Sequence, residues 1–232
     1  MVAVIGDIHG CFHTLKNLVE KIRSRYNEIE IFTVGDLVDR GNFSFEVVEY
    51  IKKDNIKFTL GNHDYMMYNF INNPSSDAGK PWLYNGYETT LISYKKHFEK
   101  LNEHLEFIIS HPLFFNLEDC FISHAGISKH TKKYLPKNIL SDLSKLTEVL
   151  SDSVNTEQGI LWSRNALFNI GKLQVVGHTI NSDVVHSEKY DAVYIDTGAF
   201  LGNKLSAVIV EKNKIIEILD ERTQLIDILE PQ

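Results

Sequence analysis

What most constrains this 232-residue chain is a rhythm. Short β-rich runs, VAVIGD (2–7), IEIFTVGD (29–36) and IKFTLGN (56–62), each end in glycine followed by a polar residue, at intervals of 26 to 29 residues. Between them the apolar side chains keep helical spacing: Leu15, Leu18, Val19 and Ile22, then Phe45, Val48 and Ile51. Strand, helix, strand, helix, strand at ~30 residues per βαβ unit predicts a sheet that begins parallel. Polar residues leaving the carboxyl ends of such strands collect along one edge, so chemistry is expected there.

From Tyr65 to about Ile109 the pattern turns helical, broken by the loop NNPSSDAGKP (72–81), which predicts a helical insertion at about 65–110. The loop over 72–90 is expected to overhang the edge and set access to it. Two further β runs follow, CFISH (120–124) and LQVVGH (173–178), with a polar, helical segment expected from Lys137 to Ser153. The runs VVHS (184–187), AVYID (192–196), LSAVIVE (205–211) and KIIEIL (214–219) are closely spaced, with a turn at Lys212-Asn213, and predict antiparallel hairpins. No internal repeat, low-complexity tract or linker divides the chain, so 1–232 is expected to form one α/β (α+β) domain.

Composition removes several function classes. The 31 Asp and Glu outnumber 24 Lys and Arg, a net charge of −7 that disfavours duplex nucleic acid and anionic membranes as partners. No apolar run approaches the ~18 residues of a membrane span. Cys11 and Cys120 are too few for a disulfide scaffold, and neither begins a Cys-x5-Arg phosphatase loop, since position 17 is Asn and position 126 is Gly. A cytoplasmic setting is expected, with both cysteines packing as small apolar groups. P-loop, dinucleotide-fingerprint and serine-hydrolase motifs are all missing.

Metal-assisted hydrolysis fits what remains. GDIHG places Asp7 and His9 two residues apart at the first strand end. GDLVDRG adds Asp36, Asp39 and Arg40, GNHD adds Asn62, His63 and Asp64, and ISHAG and VVGHT add His124 and His178. Any one of these tetrapeptides is an ordinary turn, but five strand ends aimed at one edge are not. Carboxylates, an amide and imidazoles without a thiolate suit Mn, Fe or Zn. The donors outnumber what one ion uses, so a shared carboxylate such as Asp36 is expected to bridge two cations at ~3.5–4 Å. Such a pair reverses the local field, letting an acidic protein hold a phosphate. His13, His97, His104, His111, His130 and His186 have no strand-end context and are left out of the site.

The ordered set GDIHG, GDLVDRG, GNHD, HAG (124–126) and GHT resembles the signature of the calcineurin-like metallophosphoesterases and spans residues 6–179. That resemblance implies a central mixed β-sandwich flanked by helices, with the active site at C-terminal strand ends. It also implies that Asp7, His9 and Asp36 hold one divalent ion and Asp36, Asn62, His124 and His178 a second, with Mn foremost. His63, oriented by Asp39, would protonate the leaving oxygen while Arg40 and Arg164 grip phosphate, and a hydroxide shared by the two metals would attack phosphorus directly. Arg40 in DRG, LWSR (161–164), WLYNG (82–86) and VYIDTGAF (193–200) look similar to the small bacterial and phage-type serine/threonine protein phosphatases. A phosphoprotein is therefore the first substrate expected. GNHD and HAGI (124–127) resemble instead the diadenosine tetraphosphate hydrolases of the same superfamily, the alternative.

Overall fold

Alternation decides what each face of the first strand buries. In β1 (Val2–Ile5) the side chains of Val2 and Val4 point to one face and those of Ala3 and Ile5 to the other, and all four are buried. The computed structural model describes residues 1–135 and 139–229. β1, β2 (Glu30–Thr33) and β3 (Lys57–Phe58) are parallel, joined by α1 (Phe12–Arg25) and α2 (Ser44–Lys53). α1 buries Leu15, Leu18, Val19 and Ile22 and α2 buries Val47, Val48 and Ile51, packed with Ala3 and Ile5 in one apolar cluster. Phe45 is only partly buried, stacked on His97 with ring centroids 4.0 Å apart.

The chain then builds α3 (Asn62–Asn72), α4 (Tyr87–Tyr94) and α5 (Leu101–Ile109), with 3-10 turns at Lys80–Tyr84 and Phe98–Lys100. A second sheet is assembled from β4 (Phe114–Asn116), β5 (Phe121–Ser123), β6 (Gln174–Val176), β7 (Val185–Ser187) and β8 (Ala192–Tyr194), in the order β4-β5-β6-β8-β7. Between β5 and β6 lies α6 (Leu143–Asp152), shorter than the helix expected from Lys137; positions 136–138 fall outside the described residues. β9 (Lys204–Glu211) and β10 (Lys214–Arg222) complete the first sheet in the order β10-β9-β1-β2-β3. Val2, Val4, Phe32 and Val208 from the first sheet meet Ile122, Val175 and Val193 from the second in a shared apolar layer. Cys120 lies in that layer and Cys11 in the helical one; both are buried free thiols whose ionisation burial opposes.

Two expectations need correction. The tail does form hairpins β7-β8 and β9-β10, the latter turning at Lys212 (φ 47°) and Asn213 (φ 62°). β8, however, runs parallel to β6, and the chain changes sheets before β9, because β9 finds its partner in β1 rather than in its sequence neighbour. β4 has no counterpart among the predicted runs: it is a three-residue edge strand of half-buried residues with little pattern to read.

The first turn of α1 is capped from the far end of the chain. Its N-cap residue Cys11 contributes no side-chain bond, while the buried Asp227 accepts hydrogen bonds from the N–H groups of His13 (3.0 Å) and Thr14 (2.8 Å) and from the Thr14 hydroxyl (2.6 Å). A carboxylate at a helix N-terminus meets both orphan donors and the positive end of the dipole. Asp227→Ala is expected to cost about 2–3 kcal/mol. Tm should fall by roughly 5–10 °C in a chain of this size, read by circular dichroism; an unchanged melt would show that the cap contributes nothing.

Candidate metal centre

Three of the strand ends, those of β1, β2 and β6, deliver side chains through strained backbone. His9 (φ 45°), Asp36 (φ 51°), Asp39 (φ 72°), Arg40 (φ 71°) and His178 (φ 62°) all occupy the left-handed region. That conformation disfavours a Cβ and persists where the surroundings over-determine it, as at functional sites. The five residues account for most of such strain outside ordinary turns, and they lie together.

Asp7 follows β1, Asp36 follows β2, Asn62 opens α3 after β3, His124 follows β5 and His178 follows β6. With His9, these side chains gather at one buried point, none more than 6% exposed. His124 Nε2 lies 2.8 Å from Asn62 Oδ1 and 3.2 Å from His178 Nδ1, which is itself 2.9 Å from Asn62 Oδ1. The outer ring nitrogens are committed elsewhere: His124 Nδ1 donates to the Val34 carbonyl (2.9 Å) and His178 Nε2 to the Trp162 carbonyl (3.1 Å). The three inward atoms are then all acceptors, with no proton to share, an arrangement that a common cation makes favourable. Asp36 Oδ2 stands 3.5 Å from His124 Nε2 and 3.4 Å from His9 Nε2, between the two halves. His9 Nδ1 donates to the Val38 carbonyl (2.9 Å), and the Asp7 carboxylate accepts the His178 N–H (3.0 Å). Donor atoms of Asp7, Asp36 and His124 lie within 4.8 Å of one another, as do those of His9, Asp36 and His63.

His63 sits beside this cluster, its Nδ1 donating to Asp39 at 2.7 Å and its ring edge-on to His9. Asp39 is wholly buried and accepts two further bonds, from Trp82 Nε1 (2.9 Å) and the Thr90 hydroxyl (2.7 Å). Arg40 donates to His9 Nε2 at 2.9 Å and lies 4.3 Å over the ring of Phe200. Arg164 is exposed, without a hydrogen bond or ion pair among the described residues, two positions beyond the Trp162 carbonyl that touches His178. Asp64, the residue that distinguishes GNHD from GNHE, does not face the site: it is buried and ties Leu37 N–H (2.9 Å) to Gly61 N–H (3.1 Å).

The electrostatics are those of a site built around positive charge. Burial, with Asp196 and Asp36 adding to it, raises the Asp7 carboxyl well above the usual carboxylate range. Burial also raises Asp196 to about 6 and Asp64 to about 7. Burial pushes Asp36 up too, but His124, His63 and His9 around it win and hold it below its ordinary value. His9 and His124 are lowered chiefly by burial, and His178 to about 3 by burial and then by His124. Neutral imidazoles beside crowded carboxylates are the protonation states a divalent ion needs. Asp196, at the end of β8, belongs to this group and has no place in the expected site; Trp82, Thr90 and Phe200 support Asp39 and Arg40 and are likewise new. The excluded histidines have ordinary roles: His104 bridges Tyr94 and Glu49, and His111 stacks on Phe58.

The carboxylate crowding leaves no room at Gly177. A Cβ built there would lie 1.9 Å from Asp7 Oδ1 and 2.6 Å from Val34. Gly177→Ala must therefore displace Asp7. The expected result is loss of one bound Mn per chain by elemental analysis and at least a hundredfold loss of phosphoesterase activity, on the order of the several kcal/mol a metal supplies. Full metal content in the variant would refute the assignment of Asp7.

The fold and the donor cluster define a class. The chain belongs to the calcineurin-like phosphoesterases, whose family pattern matches residues 1–209. Within that class it is similar to the asymmetrical bis(5'-nucleosyl)-tetraphosphatase PrpE of Oceanobacillus iheyensis, 26% identical over 94% of this chain and 91% of the relative. It also resembles the symmetrical bis(5'-nucleosyl)-tetraphosphatase of Buchnera aphidicola, 47% identical over 26% of this chain and 22% of the relative. A cold-active protein-tyrosine phosphatase from a psychrophilic Shewanella shares the fold, with a TM-score of 0.65 at 20% identity, over 96% of this chain and 80% of that one. No helix among the described residues is long and apolar enough to cross a membrane.

Proposed function

We propose that this phosphoesterase hydrolyses dinucleoside polyphosphates of the diadenosine tetraphosphate type. The observation that carries this reading is the match, along 94% of the chain, to a relative named for that activity. Phosphoprotein, the substrate placed first from DRG and LWSR, becomes the second reading. One observation favours it: the carboxylate-held imidazole of His63, since an alkoxide needs a proton on departure more than a polyphosphate does.

In this proposal Asp7, His9 and Asp36 hold one divalent ion and Asp36, Asn62, His124 and His178 the other, with Mn first and Fe or Zn as alternatives. Bound there, the ions supply Lewis-acid charge to phosphate oxygens and lower the pKa of water. Asp36 serves both halves because its carboxylate lies between His9 and His124. Arg40 stands on Phe200, its guanidinium within reach of the same edge, and turns to phosphate oxygens when substrate enters. Arg164 has no hydrogen-bond or ion-pair partner among the described residues and supplies the second planar fork. His63 keeps its Nδ1 proton on Asp39, and as an imidazolium it would deliver a second proton from Nε2.

Purified protein loaded with Mn should convert diadenosine tetraphosphate to adenine nucleotides, resolved by anion-exchange chromatography; ATP with AMP marks asymmetrical cleavage and ADP alone symmetrical cleavage. Faster release of phosphate from a phosphothreonine peptide than of nucleotide from the dinucleotide would establish the second reading instead.

A further inference from the structure

The helical insertion and the segment after α6 face each other across a cleft of about 740 Å³, lined by Asp77 and Pro81 on one side and Glu157, Trp162, Arg164 and Asn165 on the other. The cleft adjoins the donor cluster through one residue, because the Trp162 carbonyl accepts the bond from His178 while Trp162 also lines the cleft. We infer that this cleft seats a nucleoside of the substrate, with the Trp162 indole under the base, Arg164 on the adjoining phosphate, and Asp77 and Glu157 toward the ribose hydroxyls. This deepens the nucleotide reading above and rests on it.

Three features select a nucleoside over a peptide or a further run of phosphate. The volume lies in the range of small-molecule sites and exceeds what a phosphate alone needs. The charges are graded: among the described residues of the lining the only cation, Arg164, belongs to the wall that touches the metal-site histidine, and the other charged groups are the carboxylates of Asp77 and Glu157. Anionic chain would be repelled there, whereas a neutral ribose offers hydroxyl donors that a carboxylate accepts, as in dinucleotide-binding folds. Finally, Trp162 is half-buried, and its Nε1 has no hydrogen-bond partner among the described residues. Packing alone holds the ring, so its plane can align under a base, a contact tolerant of base identity.

Fluorescence isolates the cleft because the chain has two tryptophans, and the other, Trp82, is buried and bonded to Asp39. With the Mn-loaded protein, adenosine should quench tryptophan emission saturably, free ribose should not, and the adenosine response should vanish in Trp162→Phe. In parallel, Trp162→Leu should lower kcat/KM for diadenosine tetraphosphate about tenfold more than kcat/KM for glycerol 2-phosphate, whose leaving group is too small to reach the cleft. A merely structural role for Trp162 would depress both substrates equally; that result, or the absence of adenosine quenching, overturns the inference. Adenosine quenching through Trp162 in an enzyme that releases no nucleotide from diadenosine tetraphosphate would leave the cleft assignment standing and defeat the proposed substrate.

Discussion

Asp36→Asn protein, given saturating Mn, is expected to lose roughly a thousandfold in kcat while melting at or slightly below the parental Tm when metal-free. The first half follows from position. Asp36 Oδ2 stands within 3.5 Å of both His9 Nε2 and His124 Nε2, so it serves the two donor groups at once, and losing its charge removes on the order of 4 kcal/mol of metal-derived stabilisation. The second half follows from charge. Burial pushes the Asp36 carboxyl up, but His124, His63 and His9 around it hold it below its ordinary value, so its charge is favoured in the fold. An amide at position 36 removes that charge, yet its oxygen still accepts the His63 N–H, a bond of 2.9 Å. The metal-free variant should therefore melt at or slightly below the parental Tm, and Mn, which raises the parental Tm by mass action, should raise that of the variant far less. A variant whose Tm rises with Mn as much as the parent's would mean that Asp36 serves no metal, and the role assigned to it would fail.

How much of this site could be read from the chain depended on where glycine stands. Asp7, Asp36 and Asn62 each follow a β-rich run and a glycine, so the signal for strand, turn and polar side chain is continuous and survives without any knowledge of the fold. Asp196 also follows a strand, β8, but its glycine comes two residues after it, at 198, and the pattern that exposes the others passes it by. Trp82 and Thr90 hold Asp39 from the helical insertion, 43 and 51 positions away. No local periodicity links an indole to a carboxylate at that distance. The change of sheet between β8 and β9 was illegible for a similar reason: short spacing favours a hairpin, and only the pairing of β9 with β1 overrides it. Asp64 carries the GNHD resemblance to the tetraphosphatases without facing the site, since it ties backbone N–H groups.

His63→Asn should separate the two substrate readings by the size of its defect. His63 Nδ1 donates to Asp39, and Asp39 is saturated by Trp82 and Thr90, so the ring is held with Nε2 as its only free nitrogen. A proton delivered there helps a leaving group in proportion to its basicity. A serine or threonine alkoxide is strongly basic, and its loss without a donor is expected to slow by 10² to 10⁴, the usual range for general acid catalysis. A nucleotide leaves as a polyphosphate, already stable as an anion and able to be stabilised by Arg40, Arg164 and cations, so the same substitution should cost tenfold or less on diadenosine tetraphosphate. Measuring kcat for both substrates with parent and variant, at equal Mn content, makes the comparison independent of folding or metal loss, since those would lower both rates by one factor. Asp39→Asn should reproduce the pattern in weaker form, because it disturbs the tautomer of His63 without removing the ring. Equal losses on the ester and the anhydride would show that His63 binds phosphate in both reactions and is not the proton donor.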